Sequence, residues 1–133
     1  MAKFYLCNVC ENLIEMVNDQ GNNPYCCGRP MKELIPGSTD GAIEKHVPVI
    51  EIIPLHDSTT GDTTKKVTVS VGSSPHPAEL HHYIQWIVLE TDQGLYRMDL
   101  TSDSKPCAVF YIGKDETVIA SYAYCNLHGL WKG

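Results

Sequence analysis

Val67-Thr68-Val69-Ser70-Val71 alternates an apolar with a polar side chain at every step. Neighbouring side chains of a strand leave on opposite faces, so a period of two sets the three valines against a core and the hydroxyls towards water. Tyr96, Met98 and Leu100 repeat the pattern against Leu95, Arg97 and Asp99. Outward from these two segments, strands are expected over Val47 to Ile53, His82 to Glu90, Cys107 to Ile112 and Thr117 to Tyr124. Turn signals at Asp92-Gln93-Gly94, Asp103-Ser104-Lys105-Pro106 and Gly113-Lys114-Asp115 punctuate them. That makes at least six strands. No window after Gly41 sustains apolar residues at helical spacing, and short strands with frequent turns predict an antiparallel β-sandwich. His56 to Lys65 reads as an exposed polar excursion between strands.

The chain has 133 residues and a mass of 14.8 kDa, enough for one ordinary core. Ten Lys and Arg against sixteen Asp and Glu leave a net charge of −6, which argues against a phosphate backbone as partner. The longest uninterrupted apolar run, Cys107 to Ile112, has six residues. A membrane helix needs about 20, and a secretory signal an apolar stretch of about 7 to 15 near the N-terminus. The expectation is a soluble, cytoplasmic protein with no nucleic-acid or membrane partner.

Six cysteines and six histidines are the compositional anomaly. Four of the cysteines fall within the first 27 residues, and Pro36-Gly37-Ser38-Thr39-Asp40-Gly41 then breaks the chain. A segment of that length cannot stabilise itself by apolar burial alone and needs a staple. In a reducing compartment disulfides rarely persist, so a metal is expected over the plainer alternative of two disulfides. Cys7-x-x-Cys10 is followed, after fifteen intervening residues, by adjacent Cys26 and Cys27, a set of four thiolates suited to one tetrahedral ion. Adjacent side chains normally diverge, and Gly28 with Pro30 permits the turn that brings them together. Spacing does not separate iron from zinc.

The second group is dispersed: His46 in Glu44-Lys45-His46-Val47-Pro48, His76 between Pro75 and Pro77, His82 opening a strand, and Cys125-Asn126-Leu127-His128-Gly129. Each lies at a strand end or loop, and imidazole with thiolate is a ligand set for iron, copper or zinc. Pro77 restricts the His76 backbone to extended conformations and Pro75 fixes its own φ. His56 reads as an ordinary surface residue. Of His81 and His82 at most one can enter a shared site, because successive strand residues point apart. Periodicity leaves this open, since Ile84, Trp86 and Val88 on one face match Tyr83, Ile87 and Leu89 on the other. Cys125-x-x-His128 also suits a blue copper site, but no Met follows Cys125.

Four segments together resemble the desulfoferrodoxin family, the two-iron superoxide reductases. They are Cys7-x-x-Cys10 with Cys26-Cys27-Gly28; Gly37-Ser38-Thr39-Asp40-Gly41-Ala42 running into Glu44-Lys45-His46-Val47-Pro48-Val49; Pro75-His76-Pro77 with His82 six positions on; and Cys125-Asn126-Leu127-His128-Gly129. The resemblance spans nearly the whole chain. It implies a desulforedoxin-like domain over residues 1–36, with a non-haem iron on Cys7, Cys10, Cys26 and Cys27. It implies an immunoglobulin-like seven-strand antiparallel β-sandwich over residues 37–133, with a second iron on His46, His76, His82, His128 and Cys125; by position His82 matches and His81 does not. The stretch from Pro54 to Lys65 looks longer than a simple hairpin turn, and Cys107 has no counterpart in either site.

The implied activity is the one-electron reduction of superoxide to hydrogen peroxide, with the Cys125 thiolate pushing electron density towards iron. The chain's negative charge repels superoxide on average, so a local cation is required, and Lys45 beside His46 is the candidate. Glu44 matches a carboxylate that the family places on the oxidised iron. A small electron-donor protein such as rubredoxin and a homodimer are also implied. The competing readings are a rubredoxin-like electron-transfer protein without superoxide chemistry, and a zinc module fused to a β-sandwich binding domain. Neither accounts for four scattered histidines plus Cys125.

Overall fold

In the computed structural model, which describes residues 1–74 and 76–133, Val67, Val69 and Val71 are buried while Thr68 and Ser70 are half-buried. The N-terminal module contributes β1 (Phe4–Leu6), β2 (Leu13–Glu15), β3 (Tyr25–Cys26), β4 (Arg29–Pro30) and β5 (Lys32–Glu33). A single helical turn, α1 (Ile43–His46), leads into β6 (Pro48–His56) and β7 (Thr63–Val71). Then follow β8 (Ile84–Thr91), β9 (Gly94–Asp99), β10 (Cys107–Gly113), β11 (Val118–Cys125) and β12 (Gly129–Lys132). Among the described residues every strand pairing is antiparallel.

Two sheets, β10-β7-β6 and β12-β11-β8-β9, enclose the main core. Val67, Val69, Val71, Ala108, Phe110 and Ile112 from the first face Ile84, Ile87, Leu89, Ala123 and Cys125 from the second. This is the seven-strand sandwich, with β12 as the strand that periodicity alone did not reveal. The module forms sheet β2-β1-β5 and hairpin β3-β4, with Tyr5, Cys7 and Met31 as its own small cluster. Phe4 packs away from that cluster onto Val88, Tyr122 and Leu130, with its ring 5.1 Å from that of Trp86. The module therefore covers the outer side of β8 and β11.

Three boundaries differ from expectation. β6 continues to His56, which pairs with Thr63, so strand pairing claims both ends of the expected excursion and leaves residues 57–62 as the turn. In that turn the Asp57 carboxylate accepts the Thr59 N–H at 2.8 Å, local bonding that sequence periodicity does not register. His82 precedes β8 and does not open it, because Glu79 and His82 exchange backbone hydrogen bonds of 3.0 and 3.1 Å. α1 is one turn long, too short to leave a helical period. Pro75, which the sequence reading uses beside His76, lies outside the described residues.

One buried carboxylate ties the sandwich together. Glu116, between β10 and β11, accepts hydrogen bonds from the Thr91 hydroxyl at 2.6 Å, the Tyr96 hydroxyl at 2.7 Å and the Gly113 N–H at 3.2 Å.

Candidate metal centres

His46 closes α1, His76 follows β7, His82 precedes β8, Cys125 ends β11 and His128 lies in the turn to β12. One donor atom from each of the five lies within 4.8 Å of every other. The imidazoles form a closed cycle. Ring centroids are 4.7 Å apart for His46–His76, His76–His82 and His128–His46, and 5.0 Å for His82–His128. Interplanar angles run from 71° to 82°, so each ring stands edge-on to the next. Cys125 is fully buried in the main core and enters the group from that side.

Backbone bonds set the direction of two rings. His46 Nδ1 lies 2.7 Å from Ala42 O and His76 Nδ1 lies 2.7 Å from Pro77 O, which makes each Nδ1 the donor and leaves Nε2 as the free electron pair. His46 Nε2 is then 3.0 Å from His128 Nδ1 and 3.2 Å from His76 Nε2. A first-row ion with bonds of about 2.1 Å to imidazole nitrogen places adjacent donors about 3.0 Å apart. The spacing fits such an ion. His82 Nε2 is buried and has no hydrogen-bond partner among the described residues, as expected of an atom reserved for a ligand bond. Burial favours the neutral form, the one that ligates, at three of the rings: it pushes His76 down to about 4 and lowers His46 and His82 as well. Burial also raises the Cys125 thiol, against the N–H groups of Leu127 and His128, so forming the thiolate there calls for a cation.

In the module, Cys7, Cys10, Cys26 and Cys27 gather within the same 4.8 Å limit. Cys10 Sγ is 3.6 Å from Cys26 Sγ, which is 4.0 Å from Cys27 Sγ. Metal–sulfur bonds of about 2.3 Å in a tetrahedron separate sulfurs by about 3.8 Å, whereas a disulfide needs about 2.05 Å. None of the six cysteines is in a disulfide. The adjacent pair converges because Cys27 and Gly28 both take left-handed backbone, with φ of 53° and 71°. Cys7 is pulled down to about 6, first by the Cys10 N–H and then by that of Val9, whereas its neighbours' sulfurs push Cys27 up to about 12. Four thiolates at this spacing need a positive ion between them.

Glu44 and Lys45 are exposed on α1, beside buried His46. His81 is exposed and outside the five-residue group, and His56 is exposed near Thr63. Cys107 joins neither group and accepts the Ser70 hydroxyl at 3.9 Å. Three neighbours of the imidazole cycle went unread in the sequence. Trp131 stacks on His46 at 4.9 Å and 27° and donates its indole N–H to His128 O at 3.0 Å. Gly41 sits against Trp131, His46 and His128, where a side chain would intrude. Asn126 bonds to the backbone on both sides of His82. A tryptophan three residues after the last histidine was the available signal for the first.

An antiparallel β-sandwich carrying a four-histidine, one-cysteine group, with a four-cysteine module docked on it, is a protein with two sites fitted to non-haem iron. The chain belongs to the desulfoferrodoxin family: the family model described as Desulfoferrodoxin matches residues 38–133. A desulfoferrodoxin of Nitratidesulfovibrio vulgaris (strain Hildenborough) is 42% identical over 130 residues, covering 98% of this chain and 94% of that protein. A superoxide reductase of Pyrococcus abyssi is 39% identical over 108 residues, covering 71% of this chain and 89% of that one. The crystal structure of the superoxide reductase from Treponema pallidum superposes with a TM-score of 0.75 at 32% identity, over 100% of this chain and 98% of that chain.

Proposed function

We propose that this chain is a superoxide reductase, with residues 37–133 as the catalytic domain and residues 1–36 as a second iron domain. The closed cycle of four imidazoles with the buried Cys125 sulfur beside it carries the reading. Superoxide takes up one electron and two protons to become hydrogen peroxide; His46, His76, His82, His128 and Cys125 would hold iron(II), which when bound would supply that electron. The chain's residues do the rest. Cys125 donates electron density through its thiolate, which favours loss of the electron. Lys45, exposed next to His46, attracts the anion against the net charge of −6. Glu44 offers a hard carboxylate oxygen suited to the oxidised centre. Cys7, Cys10, Cys26 and Cys27 would hold the other iron. A small electron carrier of rubredoxin type returns the electron, and the working unit is a homodimer.

The test is stoichiometric. Superoxide generated in a pulse and mixed with the iron(II)-loaded chain should yield one hydrogen peroxide per superoxide with no dioxygen released. Dioxygen at one per two superoxide, which is dismutation, or decay no faster than without protein, overturns the proposal.

A further inference from the structure

Asn126 lies between Cys125 and His128, yet its side chain reaches across the sheet. The β11–β8 ladder shifts there: Tyr124 pairs with Trp86 but Cys125 pairs with Ile84, so Gln85 is an extra residue on β8. Beyond that bulge regular pairing stops and Asn126 takes over. Its N–H reaches Tyr83 O at 3.3 Å, its Oδ1 accepts the Tyr83 N–H at 2.9 Å, and its Nδ2 donates to His81 O at 2.9 Å. The partners fix which arm of the amide is which, because an N–H needs an oxygen and a carbonyl needs a donor. Three bonds therefore bracket His82.

His82 depends on this bracket more than its neighbours do. His46 and His76 are aimed by their own Nδ1-to-carbonyl bonds, whereas among the described residues the His82 ring makes no such bond and its Nε2 is left for the metal. The direction of the His82 ring is set through its backbone, which the Glu79 bridge holds on one side and Asn126 on the other.

The geometry points to Asn126 as a positioning residue that locks the His82 backbone to the Cys125–His128 turn and so closes the imidazole cycle around the metal. This rests on the reading of the five-residue group as a metal centre. Alanine removes both side-chain bonds. Aspartate keeps the acceptor for Tyr83 but sets an oxygen against His81 O.

The experiment is Co(II) titration of the metal-free full chain against a competing chelator. The sulfur-to-metal band of the mixed imidazole and thiolate site is followed, with the bands of the four-thiolate site as internal reference. Asn126→Ala should weaken the mixed site by roughly 10- to 100-fold and leave the reference unchanged, since lost outer contacts of metal ligands cost about that much. Ser121→Ala removes a buried bond of 2.9 Å to Val88 O in the same strand pair and should leave the affinity as in wild type. In a His82→Ala background, Asn126→Ala should add no further loss, because its effect runs through that ring. If Asn126→Ala does not fold, Asn126→Asp is read in its place, with a smaller loss in the same direction. Wild-type affinity in the Asn126 variant, an equal loss in Ser121→Ala, or full additivity with His82→Ala overturns the assignment. A wild-type chain showing only the four-thiolate bands overturns the reading of the centre, and the role of Asn126 with it.

Discussion

Replacing Gly41 by alanine probes how little slack the imidazole cycle has. A Cβ there would lie 3.0 Å from the Trp131 ring, 3.2 Å from His46 Cε1 and 3.3 Å from His128 Cβ, each inside the 3.4 Å of ordinary contact. All three neighbours must yield by a few tenths of an ångström. Gly41 is not among the left-handed glycines, so its backbone accepts alanine, and the restricted unfolded chain returns about 0.4–1 kcal/mol. Overpacking costs about 1–3 kcal/mol, which leaves the metal-free protein weaker by about 0–2.6 kcal/mol. The iron(II)-loaded protein should lose more, because an ion bonded to His46 and His128 holds them where the methyl needs room. A tenfold to hundredfold loss of affinity adds about 1.4–2.8 kcal/mol to the deficit. Urea unfolding of wild type and Gly41→Ala, metal-free and anaerobically loaded, measures both quantities. Equal losses in the two forms would mean that the methyl crowds ordinary packing and the cycle tolerates it; a stability gain in both would remove the argument altogether.

Cys7→Ser with Cys10→Ser should empty the module's site yet leave superoxide reduction within about twofold, because the two donor sets share no residue; loss of activity with the other iron fully occupied would refute that division. His82→Ala should weaken iron binding at the mixed site severely, to a residual affinity held by the four remaining ligands, and His81→Ala should leave it intact; equal effects with the fold retained would reject the placement of His82 in the cycle. Glu116→Gln should cost about 1.5–3 kcal/mol at pH 7, since a buried carboxylate with three donors is replaced by an amide. The Thr91 hydroxyl, with Tyr96 and Gly113, holds Glu116 below the ordinary carboxyl range, so its contribution is present above the unfolded value of about 4.3 and is lost as pH falls through the lower folded one. A gap between wild type and Glu116→Gln that stays constant to pH 3 in urea unfolding would contradict this. Lys45→Ala should slow capture of superoxide and flatten its decline with ionic strength, and an unchanged second-order rate and salt slope would reduce Lys45 to a solvated loop charge.

The alternation at residues 67–71 was legible because β7 has one face on the core and a polar one opposite, the arrangement in which a period of two is cleanest. β8 was not, for two physical reasons. Its second face is also buried, because Phe4 of the module packs on Val88 and Tyr122, so apolar residues fall on both parities and hide the direction of the core. The bulge at Gln85 then reverses the parity: Trp86 and Val88 face the module, whereas Ile84 faces the main core with Cys125. Counted back from Val88 without the bulge, His82 would fall on the module's side of the sheet. Only the resemblance chose it over His81, and the structure places it in the cycle. The contacts of Asn126 were equally hidden, since a side chain that bonds to backbone leaves no partner residue type in the sequence to notice. The unread features are thus linked: the module that buries the second face of β8, the bulge that turns its end and the amide that secures the turned segment all bear on where His82 points.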